Sequence, residues 1–144
     1  MSIQKNKVKV GIIGGSGYTG GELIRLLINH SKVELVFVQS KTNKGKYIQE
    51  IHTDLIGQAK IKFVSKIDNK IDLLFLCVGH SQSKKFLDNN KIDKKIKIID
   101  LSQDFRISST YSKRNFVYGL PELNKDEIIK SSSIANPGCF ATAI

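Results

Sequence analysis

The sequence predicts a protein of the α/β class, a doubly wound parallel sheet in one domain over residues 1–144. Two observations lead there. A strand, a glycine-rich turn, an amphipathic helix and a second strand follow one another between residues 8 and 40, which is the length of one βαβ unit. Further along, DLLFLCV and KIIDLS are apolar runs without alternation, as expected of parallel strands covered on both faces.

The elements follow in order. VKVGII (8–13) alternates apolar and polar residues and stops at glycines, so it reads as a strand. In GGELIRLLINH, Leu23, Ile24, Leu27 and Ile28 recur at helical spacing and predict a helix over 19–29. VELVFVQS (33–40) is the second strand. Residues 41–59 are polar and read as loop, with a short helical turn over 47–51. IKFV (61–64) is a short strand, and DLLFLCV (72–78), ended by Gly79, is a central one. SQSKKFLDNN (81–90) is expected to be a helix with Ser81 as its N-cap, and KIIDLS (97–102) another buried strand. Residues 104–124 are rich in turn formers and aromatics and read as irregular, with a brief helix over 125–131. No internal repeat or interdomain linker interrupts this order.

Composition narrows the function classes. The net charge is +10, but 20 of the 23 basic residues are lysine and only Arg25, Arg106 and Arg114 are arginine, whereas nucleic-acid readout favours the arginine fork. The lysines are also scattered singly, as in KVKV and KIKF, which describes a solvated surface and not a nucleic-acid face. No apolar run approaches the roughly 20 residues that span a bilayer, so no membrane partner is expected. The opening MSIQKNKVKV has no apolar stretch of signal-peptide type, and the two cysteines, Cys77 and Cys139, stand far apart. A reducing, cytoplasmic setting is the expectation, and no metal site is expected.

The turn after the first strand, GGSGYTG, contains Gly15-x-Gly17-x-x-Gly20. A bare GxGxxG is weak evidence, because ordinary tight turns are also glycine-rich. Here it leaves a strand and opens a helix, where the helix amides and the positive end of the helix dipole can hold a pyrophosphate. Gly14, Gly15, Ser16, Gly17, Tyr18, Thr19 and Gly20 are therefore candidate dinucleotide contacts. NAD-binding domains usually place Asp or Glu after the second strand to accept from the ribose 2′-OH. This chain has Gln39-Ser40-Lys41-Thr42 instead, and a hydroxyl and an ammonium there suit the 2′-phosphate of NADP.

Four motifs in order, GIIGGSGYTGGEL, DLSQDFR, YGLPEL and NPGC, resemble N-acetyl-gamma-glutamyl-phosphate reductase. The likeness runs along essentially the whole chain and corresponds to the amino-terminal part of that family's length. Aspartate-semialdehyde dehydrogenases share the architecture and a cysteine after Asn-Pro, and reductases of carrier-bound aminoadipyl phosphate share much of the pattern. The resemblance implies a Rossmann-like domain that binds NADP through the Gly14–Gly20 turn, with Ser40 and Lys41 near the ribose phosphate and Gly79 and His80 near the cofactor. It makes Cys139 the nucleophile and 136–144 the start of the catalytic segment. Two departures stand out: Val78-Gly79-His80-Ser81 where the family has Leu-Pro-His-Gly, and Phe140-Ala141-Thr142 where Tyr-Pro-Thr is common.

The implied chemistry is reduction of a small-molecule acyl phosphate to an aldehyde. A thiolate attacks the acyl carbon, phosphate leaves, and the thioester is reduced by hydride from NADPH. Asn136-Pro137-Gly138 leads into a helix that starts with FATAI and whose dipole favours the thiolate. A cysteine can equally be a small core residue, and Cys77, inside LLFLCV, is read that way. His30 and His52 read as surface residues, and Arg106 as either a substrate anchor or half of a structural salt bridge. The family's acid/base histidine lies in a later domain that His30, His52 and His80 do not match, so the chain alone is expected to turn over negligible substrate. A complementing carboxyl-terminal fragment is the partner this calls for, with a homo-oligomer for the full-length enzyme. The alternative is a non-catalytic nucleotide-binding remnant.

Overall fold

The computed structural model describes residues 7–143. Ile144, the end of the predicted terminal helix, lies outside them. The strands β3 (Phe63–Val64), β2 (Val33–Gln39), β1 (Val8–Ile13), β4 (Leu73–Leu76), β5 (Lys97–Asp100), β9 (Ser133–Ala135) and β8 (Val117–Tyr118) follow one another in that order in a seven-stranded sheet, and β6 (Thr110–Tyr111) and β7 (Arg114–Asn115) form a two-stranded ribbon. The parallel α/β class expected from the sequence is the class observed. Residue contacts gather into two compact units that divide between Leu73 and Leu74.

In the first unit, β1 (Val8–Ile13) pairs in parallel with β2 (Val33–Gln39), and β2 with β3 (Phe63–Val64). Helix α1 (Tyr18–Leu27) buries Gly20, Gly21 and Ile24, while Glu22 and Arg25 pair on its exposed side. The helical period in GGELIRLLINH thus marks a real packing face. The loop after β2 holds two short 3-10 turns, Ile48–Glu50 and Thr53–Leu55, each anchored by a fully buried side chain, Ile48 and Leu55. The predicted turn over 47–51 is the first of them, tightened from α to 3-10 over three residues.

The second unit contains all but the first residue of β4 (Leu73–Leu76), with α2 (Gln82–Asn89), β5 (Lys97–Asp100) and β9 (Ser133–Ala135), and β9 pairs in parallel with both β5 and β8 (Val117–Tyr118). Its remaining helices are α3 (Pro121–Lys130) and α4 (Cys139–Ala143). The segment expected to be irregular is more ordered than its composition suggests. It contains the antiparallel ribbon β6 (Thr110–Tyr111) and β7 (Arg114–Asn115), folded over the stacked rings of Phe105 and Phe116, whose centroids are 3.9 Å apart. Helix α3 begins at Pro121, before the predicted residue 125, because proline suits the first helical position. Asn124, kinked to φ −126°, donates its side-chain amide to the Tyr118 carbonyl.

Arg114 ties this ribbon down. It is only 9% exposed, yet its guanidinium donates to the carbonyls of Ile96 and Asp93 and to the Ser133 hydroxyl. Burial lowers its pKa from the usual value. Among the described residues no helix is long and apolar enough to cross a membrane. Arg114→Ala strands those acceptors and is expected to cost about 2–4 kcal/mol, read as a lower denaturant midpoint. Arg114→Lys is expected to recover only part of the loss, since an ammonium cannot reproduce the fork.

Candidate functional site

The glycine turn is built from backbone contacts. The amides of Gly14 and Gly15 both donate to the Gln39 carbonyl, at 3.1 and 3.0 Å, so the end of β2 holds the start of the turn. Gly14 has φ +77°, which favours glycine. A Cβ on Gly20 would stand 2.6 Å from the Gly15 Cα, so helix and turn touch backbone to backbone. Gly17, the N-cap of α1, is different: a Cβ there would meet only the Gly14 carbonyl oxygen, at 3.7 Å. Gly17, Tyr18 and Thr19 are exposed, and among the described residues no side chain caps the first turn of α1. That combination of open space and uncapped amides fits the diphosphate of a dinucleotide.

Ser40 is 3% exposed, and its hydroxyl is hydrogen-bonded to that of Ser16 at 3.0 Å and accepts from the Asn43 amide. It therefore joins the end of β2 to the turn, while Lys41 and Thr42 stand in solvent. His52 corrects the sequence reading. It is no free surface residue but half-buried, its Nε2 bonded to the Gly15 carbonyl at 2.7 Å.

In the second unit, the segment 100–106 organises two loops. The Asp100 carboxylate, fully buried, accepts from the hydroxyls of Ser83 and Ser102. Ser102 Oγ in turn accepts from the Asp104 amide, and the Asp104 carboxylate accepts from the amides of Ser81 and Lys84 at the start of α2. Ser81 does occupy the N-cap position as expected, but its hydroxyl caps nothing; Asp104 caps the helix from another segment. The physical reason is the backbone of Ser81, which is left-handed with φ +64°. This is the position where the resemblance expects glycine. Gly79 and His80 are exposed beside it, and His80 Nδ1 accepts from the Gln103 amide at 3.2 Å, which puts the neutral ring's proton on Nε2.

The same segment holds the loop before Cys139. The Asn136 amide donates to the Asp100 carbonyl at 2.8 Å. Arg106 donates through Nε to the Asn136 carbonyl and through Nη2 to the Leu101 carbonyl, at 2.9 and 3.2 Å. Its Nη1 lies 3.1 Å from where a Cβ on Gly138 would stand. Arg106 is therefore a brace of carbonyl groups and, among the described residues, not half of a salt bridge. Cys139 is exposed as the first residue of α4. Cys77, by contrast, is buried, and burial together with the Asp100 charge pushes its thiol up to about 12. Among the described residues no group of three or more metal-ligating side chains gathers.

Known proteins resemble this chain along most of its length. Residues 9–131 match the family described as semialdehyde dehydrogenase, NAD binding domain. The chain is 55% identical over 137 residues to an N-acetyl-gamma-glutamyl-phosphate reductase of Christiangramia forsetii, covering 95% of the chain and 42% of that protein. It is 57% identical over 141 residues to the protein of that name in Karelsulcia muelleri, covering 95% and 43%. The chain thus spans less than half the length of these relatives. Two solved structures share its fold: aspartate semialdehyde dehydrogenase with NADP from Candida albicans (TM-score 0.70, 14% identity, 96% of this chain and 44% of that one) and aspartate semialdehyde dehydrogenase II from Vibrio cholerae (TM-score 0.67, 20% identity, 92% and 38%).

Two outcomes are expected of this site. Ser81→Gly relieves the left-handed backbone and should raise stability by up to about 1 kcal/mol, measured as melting temperature. Burial raises the Asp100 pKa above its usual 3.8, against the opposing hydrogen bonds of Ser83 and Ser102. The unfolded chain then loses this proton first, so the contribution to stability falls as pH rises from about that value through the raised one. Melting curves from pH 4 to 7 should show Asp100→Asn, which cannot ionise, gaining on the wild type as pH increases; parallel curves would contradict this.

Proposed function

The chain belongs to the semialdehyde dehydrogenase family, whose NAD-binding domain it matches, and on that premise we propose that it is the cofactor-binding and nucleophile-bearing part of a cytoplasmic, NADPH-dependent N-acetyl-gamma-glutamyl-phosphate reductase of arginine biosynthesis. The observation that carries this reading is Cys139, exposed behind Asn-Pro-Gly on a loop braced by Arg106. The reaction requires the thiolate of Cys139 to attack the acyl carbon; the carbon–sulfur bond forms, the carbon–oxygen bond to phosphate breaks, and a thioester remains. Arg106, beside Gly138, offers positive charge to the acyl phosphate's leaving group. NADPH, when bound, supplies the hydride that takes the thioester carbon to the aldehyde and frees the thiolate.

Gly14, Gly15, Ser16, Gly17, Tyr18, Thr19 and Gly20 form the diphosphate cradle of this proposal. Lys41 meets the 2′-phosphate, Ser40 fixes the strand end that presents it, and Gly79 and His80 are further cofactor contacts. The acid/base histidine comes from a carboxyl-terminal part, and the complete enzyme is a homo-oligomer.

Calorimetric titration of the 144-residue chain is expected to give tighter binding of NADP than of NAD. Lys41→Ala should weaken NADP about tenfold, or ~1.4 kcal/mol, and leave NAD unchanged; equal affinity for both cofactors would reject the cofactor assignment. Supplying the carboxyl-terminal part of a relative should restore NADPH oxidation by N-acetyl-gamma-glutamyl phosphate, and Cys139→Ala should abolish it. Family-like rates from the chain alone, or activity in Cys139→Ala, would refute the assignment of roles.

A further inference from the structure

His52 lies outside every motif of the sequence, 37 residues from the glycine it touches. A carbonyl only accepts, so the 2.7 Å contact with the Gly15 oxygen places a proton on Nε2. The same ring covers Gly21, where a Cβ would stand 2.5 Å from Cε1 and Nδ1. That contact accounts for a buried glycine one position beyond the GxGxxG spacing. The ring is itself held firmly. Phe63 meets it edge-on at 6.3 Å, the His52 amide donates to the Ile48 carbonyl at 2.8 Å, and the His52 carbonyl accepts from the Leu55 amide at 3.0 Å.

The Gly15 carbonyl and the Ser16 N–H belong to one peptide group, which is planar and trans. Fixing the oxygen therefore fixes the direction of the Ser16 N–H, which points to the opposite side. We propose that His52 is a positioning residue of the dinucleotide turn: by holding the Gly15 carbonyl it aims the Ser16 amide as an anion donor, and Gly21 exists to admit its ring. This rests on the reading of the turn as a diphosphate site. Because the Gly15 amide is already bonded to the Gln39 carbonyl, the middle of the turn is fixed on both sides, from β2 and from the following loop. Preorganised donors lose less ordering entropy on binding, so the contribution should appear in cofactor affinity.

The test uses the 144-residue chain. Long-range proton–nitrogen spectra of the free wild type should show the neutral His52 ring protonated on Nε2, and titration with inorganic pyrophosphate should shift the Ser16 amide. His52→Phe keeps a ring but no donor, and it should raise the Kd for NADP tenfold or more and abolish the Ser16 shift. His52→Gln, which retains a donor, should recover part of both, an outcome that a purely space-filling role would not produce. A ring proton found on Nδ1 overturns the proposal even if His52→Phe fails to fold. So does a His52→Phe chain that binds NADP within twofold of the wild type. If the wild type binds neither NADP nor pyrophosphate, the diphosphate reading itself fails and this inference falls with it, a result distinguishable from loss of the His52 effect alone.

Discussion

The carboxylate of Asp100 is the constraint on which the second unit's loops around His80 and Cys139 depend. A fully buried carboxylate is costly to ionise, and the fold accommodates it by aiming the hydroxyls of Ser83 and Ser102 at its two oxygens. Everything after it inherits that geometry. Ser102 turns the Asp104 amide, Asp104 caps α2, and Gln103 is left to hold His80. The backbone carbonyl of Asp100 meanwhile takes the Asn136 amide, and Arg106 takes the Asn136 carbonyl from the other side. One segment of seven residues thus orients both the turn that carries His80 and the loop that carries Cys139. In DLSQDFR most side chains serve position, and the chemistry is left to few.

The first unit reaches preorganisation by another route. Its turn contains no buried charge; close approach of glycine backbones and the doubly used Gln39 carbonyl set its shape. Polar side chains enter only at its margins, through the Ser16–Ser40 pair and His52. The difference suits the ligands proposed for each. A diphosphate needs backbone donors at close range, where any Cβ obstructs, whereas a nucleophilic thiol needs a loop whose backbone cannot drift.

How much of this was legible follows from the range of the interactions. The strands β1 and β2 and the helix between them announce themselves in the sequence, because each runs over six or more residues and buries several of them. The strands β6, β7 and β8 have two residues each and β9 has three, too few for any period to show. The start of a helix at Cys139 was legible from the Asn-Pro-Gly punctuation before it. His52 was not, since no local pattern marks a ring that reaches back to Gly15. The one available signal was Gly21, a glycine that GxGxxG does not need and whose presence implies that something bulky lies against it. Ser81 misled for a similar reason: a serine before a helix reads as a cap, but in a left-handed conformation its hydroxyl does not cap, and the second aspartate of DLSQD does so instead.

The two cysteines show how environment decides the use of one side chain. Cys77 follows β4 into the core, where desolvation and the neighbouring Asp100 charge both disfavour a thiolate and hold it near pH 12. At neutral pH it is a small apolar residue and no competitor for an electrophile. Cys139 stands in different surroundings: it is exposed, lies past a proline and a glycine, and follows a residue beside the Arg106 guanidinium. Asp100 therefore acts twice, once as the anchor of the loops that present Cys139 and once as the charge that keeps Cys77 silent. A neutral residue at position 100 would remove the charge felt by Cys77 but leave the backbone carbonyl that takes the Asn136 amide, so the two roles are separable.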